Sequence, residues 1–328
     1  MSKYNLTKLT SLFKKFGGIR LAGAYSRLGV LGAAVMACVK GVLKRTSADK
    51  VFYTYEPLIV AALRKRYRPL MEAKLSEYEN CGLVRIRSDI VWFCWLQGME
   101  SAPPIVKACY ASLEKNLSGK EIRLVDDSNR RTFVELPEFI ERRHDKGELP
   151  HAMFTDLLRL ELLIKYGGTW VDATVMCSSP DYPREYLDSN LFFFQYARSE
   201  DRRYGGISNW FISACANNPL LMTLRDMLYA YWKDFGCVVE YFIFHRFFDM
   251  IASKKPSDVA KMPYAYSPNA HALLRHWQEP FDQTMWDWVT TRMCFHKLAH
   301  QVEEEVKQDK NNYYNHVLMV WLGSAAGS

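Results

Sequence analysis

The 328-residue sequence is poor in the features that mark several protein classes. Its eight cysteines (Cys38, Cys81, Cys94, Cys109, Cys177, Cys215, Cys237 and Cys294) are scattered. No CxxC pair and no histidine partner at zinc-finger spacing accompanies them, which argues against a structural zinc or a disulfide framework. A reducing cytoplasm fits this usage. Internal repeats and low-complexity segments are absent. The apolar run LGVLGAAVMACVKGVL, Leu28 to Leu43, is interrupted by Lys40 and falls short of the roughly 20 residues that span a bilayer. It also lacks the form of a signal peptide, because basic residues continue on both sides and the polar flank KRTSADK offers a weak cleavage site. A large excess of one charge sign is confined to the N-terminus. Residues 1–50 hold ten Lys or Arg against a single acid, Asp49, whereas the whole chain carries +7, so the remainder is slightly acidic. With no stripe of Lys and Arg interleaved with aromatics, that remainder argues against nucleic acid as a partner.

What is present is core-forming material. A chain with 49% hydrophobic and 14% aromatic residues buries a large core and is not disordered. The pattern divides it into a basic amphipathic helical arm over residues 1–46, a connecting helical layer over 47–84, and one large domain over 85–328. Two readings of the arm stand open. Lys and Arg beside an apolar helix favour an anionic membrane surface, at about 1 kcal/mol per basic residue; equally, two ordinary helices pack on the body of the protein.

Along the domain, DIVWFCWLQG (Asp89 to Gly98) predicts a buried strand followed by a turn. PPIVKACYASLEKNL predicts a helix opened by prolines, and EIRLVD a second strand ending in acids. A strand, helix, strand unit predicts a parallel sheet whose ligands bind beyond the carboxyl ends of the strands, near Gln97, Gly98, Asp126 and Asp127. Further on, FVELPEFIERRHDKGELP predicts a turn and helix, LFFFQYA a strand, and PLLMTLRDMLYAYWKDF and VEYFIFHRFFDMIA two helices.

Three polar residues in FTDLLRLELLIKYGGTWVDATV, Phe154 to Val175, sit in apolar elements. Asp156 and Arg159, at i and i+3, share one face of a helix that is apolar nearly all round, which fits either an internal ion pair or a grip on a polar ligand. YGG predicts the helix stop, with glycine in the left-handed conformation. TWVDATV then predicts a strand in which Asp172 interrupts the apolar run.

This segment closely resembles the core of the capsular polysaccharide synthesis protein family. Relatives of that family are the DxD-containing sugar transferases, including family 32 glycosyltransferases and the large clostridial glucosylating toxins. The resemblance extends to WFCWLQGMESAPPIVKACYASL upstream and to ISNWFISACANNPLL, YAYWKDF, EYFIFHRFFD and FHKLAHQ downstream, covering most of residues 85–300. It implies a GT-A-type α/β fold, a Rossmann-like mostly parallel sheet flanked by helices, and a hexosyltransferase that takes a nucleotide-sugar donor, with retention of configuration. By resemblance Trp95, with Gln97 beside it, meets the nucleobase, and Asp156 and Arg159 grip the sugar and ribose. Trp170 and Asp172 are similar to the aromatic and first acid of the YxDxD element. Asn209 lies near the donor sugar, and His296 and Lys297 face the diphosphate, with protonated His300 an alternative to His296. Where relatives carry a second, metal-holding acid this chain has Thr174, a much poorer ligand for Mn or Mg than a carboxylate. A divalent cation on Asp172 is therefore expected to be weakly held or dispensable. The implied acceptor is a glycan or lipid-linked glycan at the cytoplasmic face of the cell membrane, where the arm meets the anionic leaflet. The competing reading is a non-catalytic, membrane-associated assembly protein with a degenerate GT-A fold.

Overall fold

The structure is a computed structural model and describes residues 18–44, 48–196 and 206–323; the first seventeen residues of the basic arm, Ser47 and Ala197 among the predicted elements lie outside them. Its helices of eight residues or more are α1 (Ile19–Arg27), α2 (Leu31–Leu43), α3 (Ala48–Asn80), α4 (Pro104–Asn116), α5 (Glu138–Asp145), α6 (His151–Tyr166), α7 (Pro219–Asp234), α8 (Ile243–Lys254), α9 (Gln283–Arg292) and α10 (Tyr313–Leu322). The strands are β1 (Ile90–Cys94), β2 (Glu121–Val125), β3 (Gly168–Asp172), β4 (Val175–Cys177), β5 (Leu191–Gln195), β6 (Ile207–Ala214) and β7 (Phe295–Lys297). The chain divides into two compact units. The described residues of Met1–Leu83, Leu136–Leu160 and Pro219–Pro256 make the first, and those of Val84–Glu135, Glu161–Asn218 and Ser257–Ser328 the second.

The first unit is helical and organised around α3. Val51, Tyr55, Ile59, Leu63, Tyr67, Met71 and Leu75 are all buried. Their spacing of four residues against a helical repeat of 3.6 turns the buried stripe by about 40° at each step. Its partners accordingly change along the helix, and α2, α7 and α8 all pack against it. Polar clasps fix these contacts. The Tyr67 hydroxyl donates to Asp234 Oδ2 at 2.7 Å and Arg66 Nε to the same oxygen at 2.9 Å. Lys74 reaches Asp226 at 3.4 Å, and Arg246 pairs with buried Glu56. On α2, Ala34 and Ala37 are buried while Val35, Met36 and Val39 are each about half exposed, at 54%, 58% and 51%. One face of the arm therefore packs and the other presents apolar side chains to solvent. Among the described residues no helix is long and apolar enough to cross a membrane.

The second unit holds a five-stranded sheet in the order β2-β1-β3-β6-β5 and a two-stranded sheet of β4 and β7. β1 pairs parallel with β2 and with β3, while β6 runs antiparallel to both β3 and β5. Four of the five strands thus point one way, which is the predicted mostly parallel α/β sheet with helices against it. The central strands read as continuous apolar runs, IVWFC and GTWVD, because both of their faces are covered. The edge strand EIRLV is more exposed. Helix α4, opened by Pro103 and Pro104, contributes Ile105, Val106, Cys109 and Leu113 to a core shared with Val91, Phe93, Val171, Phe194 and Phe211. FHKLAHQ opens as strand β7 against β4, with Phe295 and His296 buried.

The turn from α6 into β3 has no spare room. Gly167, at φ +69°, closes the helix with its N–H on the Leu163 carbonyl at 2.9 Å. Gly168 follows at φ +93°, and a Cβ there would stand 2.3 Å from the Ile90 carbonyl oxygen of β1. Gly168→Ala is therefore expected to destabilise the fold by more than about 2 kcal/mol, from left-handed backbone strain plus a backbone clash. Urea denaturation of the variant against wild type measures it.

Candidate active site

The carboxyl end of β3 is where the second unit gathers its polar side chains. Trp170 and Asp172, two residues apart on the strand, point to the same face, and the fully buried Trp170 donates Nε1–H to Asp172 Oδ1 at 2.9 Å. The strand ends there, Ala173 and Thr174 turn, and β4 begins at Val175. β4 pairs with β7 so that Val175 lies opposite Lys297 and Met176 opposite His296. The Leu298 N–H closes this ladder on the Thr174 carbonyl at 2.8 Å. Lys297 then reaches across: its Nζ donates to Thr174 Oγ1 at 2.5 Å and stands 3.7 Å from Asp172 Oδ2. Both charged side chains keep contact with water, at 20% exposure for Lys297 and 26% for Asp172.

The loops after β1 and β2 meet at the same end of the sheet. The Trp95 N–H donates to the Val125 carbonyl and the Asp127 N–H to the Leu96 carbonyl, both at 3.0 Å. Trp95 is half-buried, its ring edge-on to His300 with centroids 5.4 Å apart. Its indole Nε1 is buried and finds no hydrogen-bond acceptor among the described residues. Gln97 is exposed, its backbone carbonyl accepting from Ser101 Oγ at 2.9 Å. The acids that close β2 are engaged locally. Asp126 accepts from the Ser128 hydroxyl and from the Ser128 and Asn129 N–H groups, which hold its carboxyl below the usual range, and Asp127 takes Arg130 Nε at 2.9 Å. Asn209 on β6 lies two residues beyond Phe211, the partner of Val171, and so belongs to the Asp172 end of the sheet.

His296 and Lys297 are neighbours on a strand and point to opposite faces. Lys297 faces Asp172 and Thr174, whereas His296 is fully buried with Nε2 3.0 Å from the Ser178 hydroxyl. Burial pushes His296 down to about 3. His300 is also lowered, by burial first and then by the charge of Lys297. Burial thus disfavours the charged form of both histidines. Of these three, Lys297 is the side chain whose charge stands at Asp172 and Thr174, while His296 faces the interior. His271, which carried no signal in the sequence, is lowered by burial and by the same lysine, which puts it within that charge's reach.

Asp156 and Arg159 belong to the first unit. Both are buried or nearly so and form an ion pair, Arg159 NH1 to Asp156 Oδ1 at 3.2 Å, with Arg159 Nε also on the Thr155 carbonyl at 3.2 Å. His245 beside them is lowered to about 3 by burial, with the charges of Arg159 and Arg246 adding to it. Burial, with the Asp156 charge adding, raises Tyr241. Among the described residues, no group of three or more His, Cys, Asp or Glu side chains is arranged to hold a metal ion.

The model of the family "Capsular polysaccharide synthesis protein" matches residues 41–317, and the chain belongs to that family. A solved structure, "PaToxG Glycosyltransferase", is similar at 12% identity and a TM-score of 0.37, with 81% of this chain and 96% of that one covered. No curated protein matches the chain.

The buried histidines make stability depend on pH. A histidine near 6.5 when unfolded and near 3 when folded binds more protons unfolded, so its stabilising share is complete above pH 6.5 and is lost as pH falls toward 3. For His296 the loss between pH 7 and pH 5 is about 2 kcal/mol. His296→Gln is expected to shrink the pH 7 to pH 5 difference in unfolding free energy by about that amount. Denaturant titrations at the two pH values read it directly.

Proposed function

We propose that the chain is a glycosyltransferase that moves a sugar from a nucleotide-sugar donor to a glycan or lipid-linked acceptor in surface-polysaccharide synthesis. The observation that carries this reading is the pair of opposite charges beyond the carboxyl end of β3, Asp172 oriented by Trp170 and Lys297 held at Thr174. Family membership supports it. Sugar transfer breaks the bond from the anomeric carbon to a phosphate oxygen, with the electron pair leaving on the nucleoside diphosphate. A bond forms from an acceptor hydroxyl, which loses its proton. A site for this reaction needs positive charge at the phosphates and acceptors for sugar hydroxyls. Lys297 suits the first need and Asp172 the second, and Trp95, half-buried at the same end of the sheet, suits a stacked base. Asp156 and Arg159 carry the sugar and ribose roles that the family resemblance implies, and Asn209 the role near the donor sugar.

We further propose that the arm meets an anionic membrane surface. Exposed Val35, Met36 and Val39 share helix α2 with Lys40, and Lys44 follows directly after it, so apolar and basic side chains occur together on this part of the arm.

Donor hydrolysis and transfer, screened across UDP-, GDP- and CMP-sugars, test the first proposal. Asp172→Asn is expected to lower kcat/KM for the accepted donor by about 10²–10³-fold; no turnover of any donor by wild type favours the non-catalytic assembly reading. For the arm, the triple substitution Val35→Ser, Met36→Ser and Val39→Ser is expected to abolish co-flotation with phosphatidylglycerol vesicles, and equal partitioning of variant and wild type counts against it.

A further inference from the structure

We propose that the Lys297 ammonium takes the place of the divalent cation at this site, so that the chain binds the diphosphate of its donor without a metal. The inference rests on the transferase reading and deepens it. It starts from the mismatch between the residues present and the cation that DxD-type relatives imply. Mg and Mn ask for several oxygen ligands, carboxylates foremost, at about 2.0–2.2 Å in near-octahedral geometry. Position 174 offers a hydroxyl, and that hydroxyl already accepts the Lys297 ammonium at 2.5 Å. The Thr174 carbonyl is bound to the Leu298 N–H. Of the Asp172 oxygens, Oδ1 holds the Trp170 indole and Oδ2 faces the ammonium at 3.7 Å. A cation placed between these groups meets a fixed positive charge where its relatives supply a second negative one. The donor set does not fit the metal.

The same geometry suits a built-in cation. Lys297 is aimed by a paired backbone, opposite Val175 and flanked by the Leu298 to Thr174 hydrogen bond, so its reach is set by the β4 and β7 register and not by a loop. Its separation from Asp172 is within ion-pair range but longer than a hydrogen bond. The carboxylate therefore balances the charge without consuming the ammonium's three donors. Thr174 orients one of them, a second rests on the Leu298 carbonyl at 3.4 Å, and one is left for a phosphate oxygen.

Isothermal titration calorimetry of the full chain with UDP, GDP and CDP, in EDTA and in excess MnCl2, tests the proposal. The expected result is binding of at least one of these nucleotides with affinity equal within about twofold in the two conditions. Lys297→Met is expected to weaken it by about 10–100-fold in both, the loss of a charge-assisted contact. Lys297→Arg is expected to retain most of it, which separates lost charge from lost fold, and thermal melts of each variant accompany the titrations. The double variant Lys297→Met with Thr174→Asp is expected to bind only when Mn is present. Binding by wild type that requires Mn overturns this inference and leaves the transferase reading standing, as does unchanged binding by Lys297→Met. Absence of binding in both conditions by folded wild type overturns both.

Discussion

The passage from α6 into β3 presses the Gly168 α-carbon against the Ile90 carbonyl with no space for a side chain, and the placement of the site follows from that contact. Close approach at this point pins β3 beside β1 in parallel register, Val91 against Thr169 and Cys94 against Asp172. Because side chains alternate along a strand, that register puts Trp170 and Asp172 on one face and buries Val171 in the core. A slip of one residue would send the carboxylate into the apolar layer, at the cost of an unpaired buried charge. The two glycines are thus a geometric condition for the position of the Asp172 carboxylate, a strand's length away.

A second alternation works on the short sheet. With Met176 opposite His296 and Val175 opposite Lys297, one residue of β7 enters the interior and the next reaches the charged cluster. Burial keeps the inward histidine neutral, while the outward lysine retains access to water and a carboxylate neighbour. Two adjacent basic residues that look interchangeable in sequence therefore have different charge states and different faces.

The main elements of the second unit were legible because their signals are local. IVWFC and EIRLV read as strands from apolar runs, α4 from its opening prolines, and the α6 stop from YGG. The parallel pairing of β1 and β2 followed from the strand, helix, strand order. What stayed hidden depends on contacts between distant residues. The antiparallel course of β6 breaks the parallel pattern without any local mark. The pairing of Val175 with Lys297 joins segments more than a hundred residues apart, so the ammonium on Thr174 had no sequence signature. Asp156 and Arg159 were read as a buried ion pair or a ligand grip, and the ion pair at 3.2 Å is present. That contact is compatible with either role, because a guanidinium held by its own carboxylate is also oriented by it.

Under the proposal that Lys297 supplies the charge of a cation, the rest of the site must contribute differently. An ammonium carries one positive charge where a divalent ion carries two, and it offers directed N–H donors in place of an open coordination sphere. The field at a diphosphate is weaker, so a larger share of donor affinity falls to contacts with the base and sugar. Trp95, half-buried with its ring edge-on to His300 at the ends of β1 and β2, is placed for that share under this reading. A smaller charge at the phosphates also holds the departing diphosphate less tightly, which favours product release. The threonine at position 174 then belongs to a different division of labour between charge and shape, in which the hydroxyl keeps the lysine pointed at Asp172.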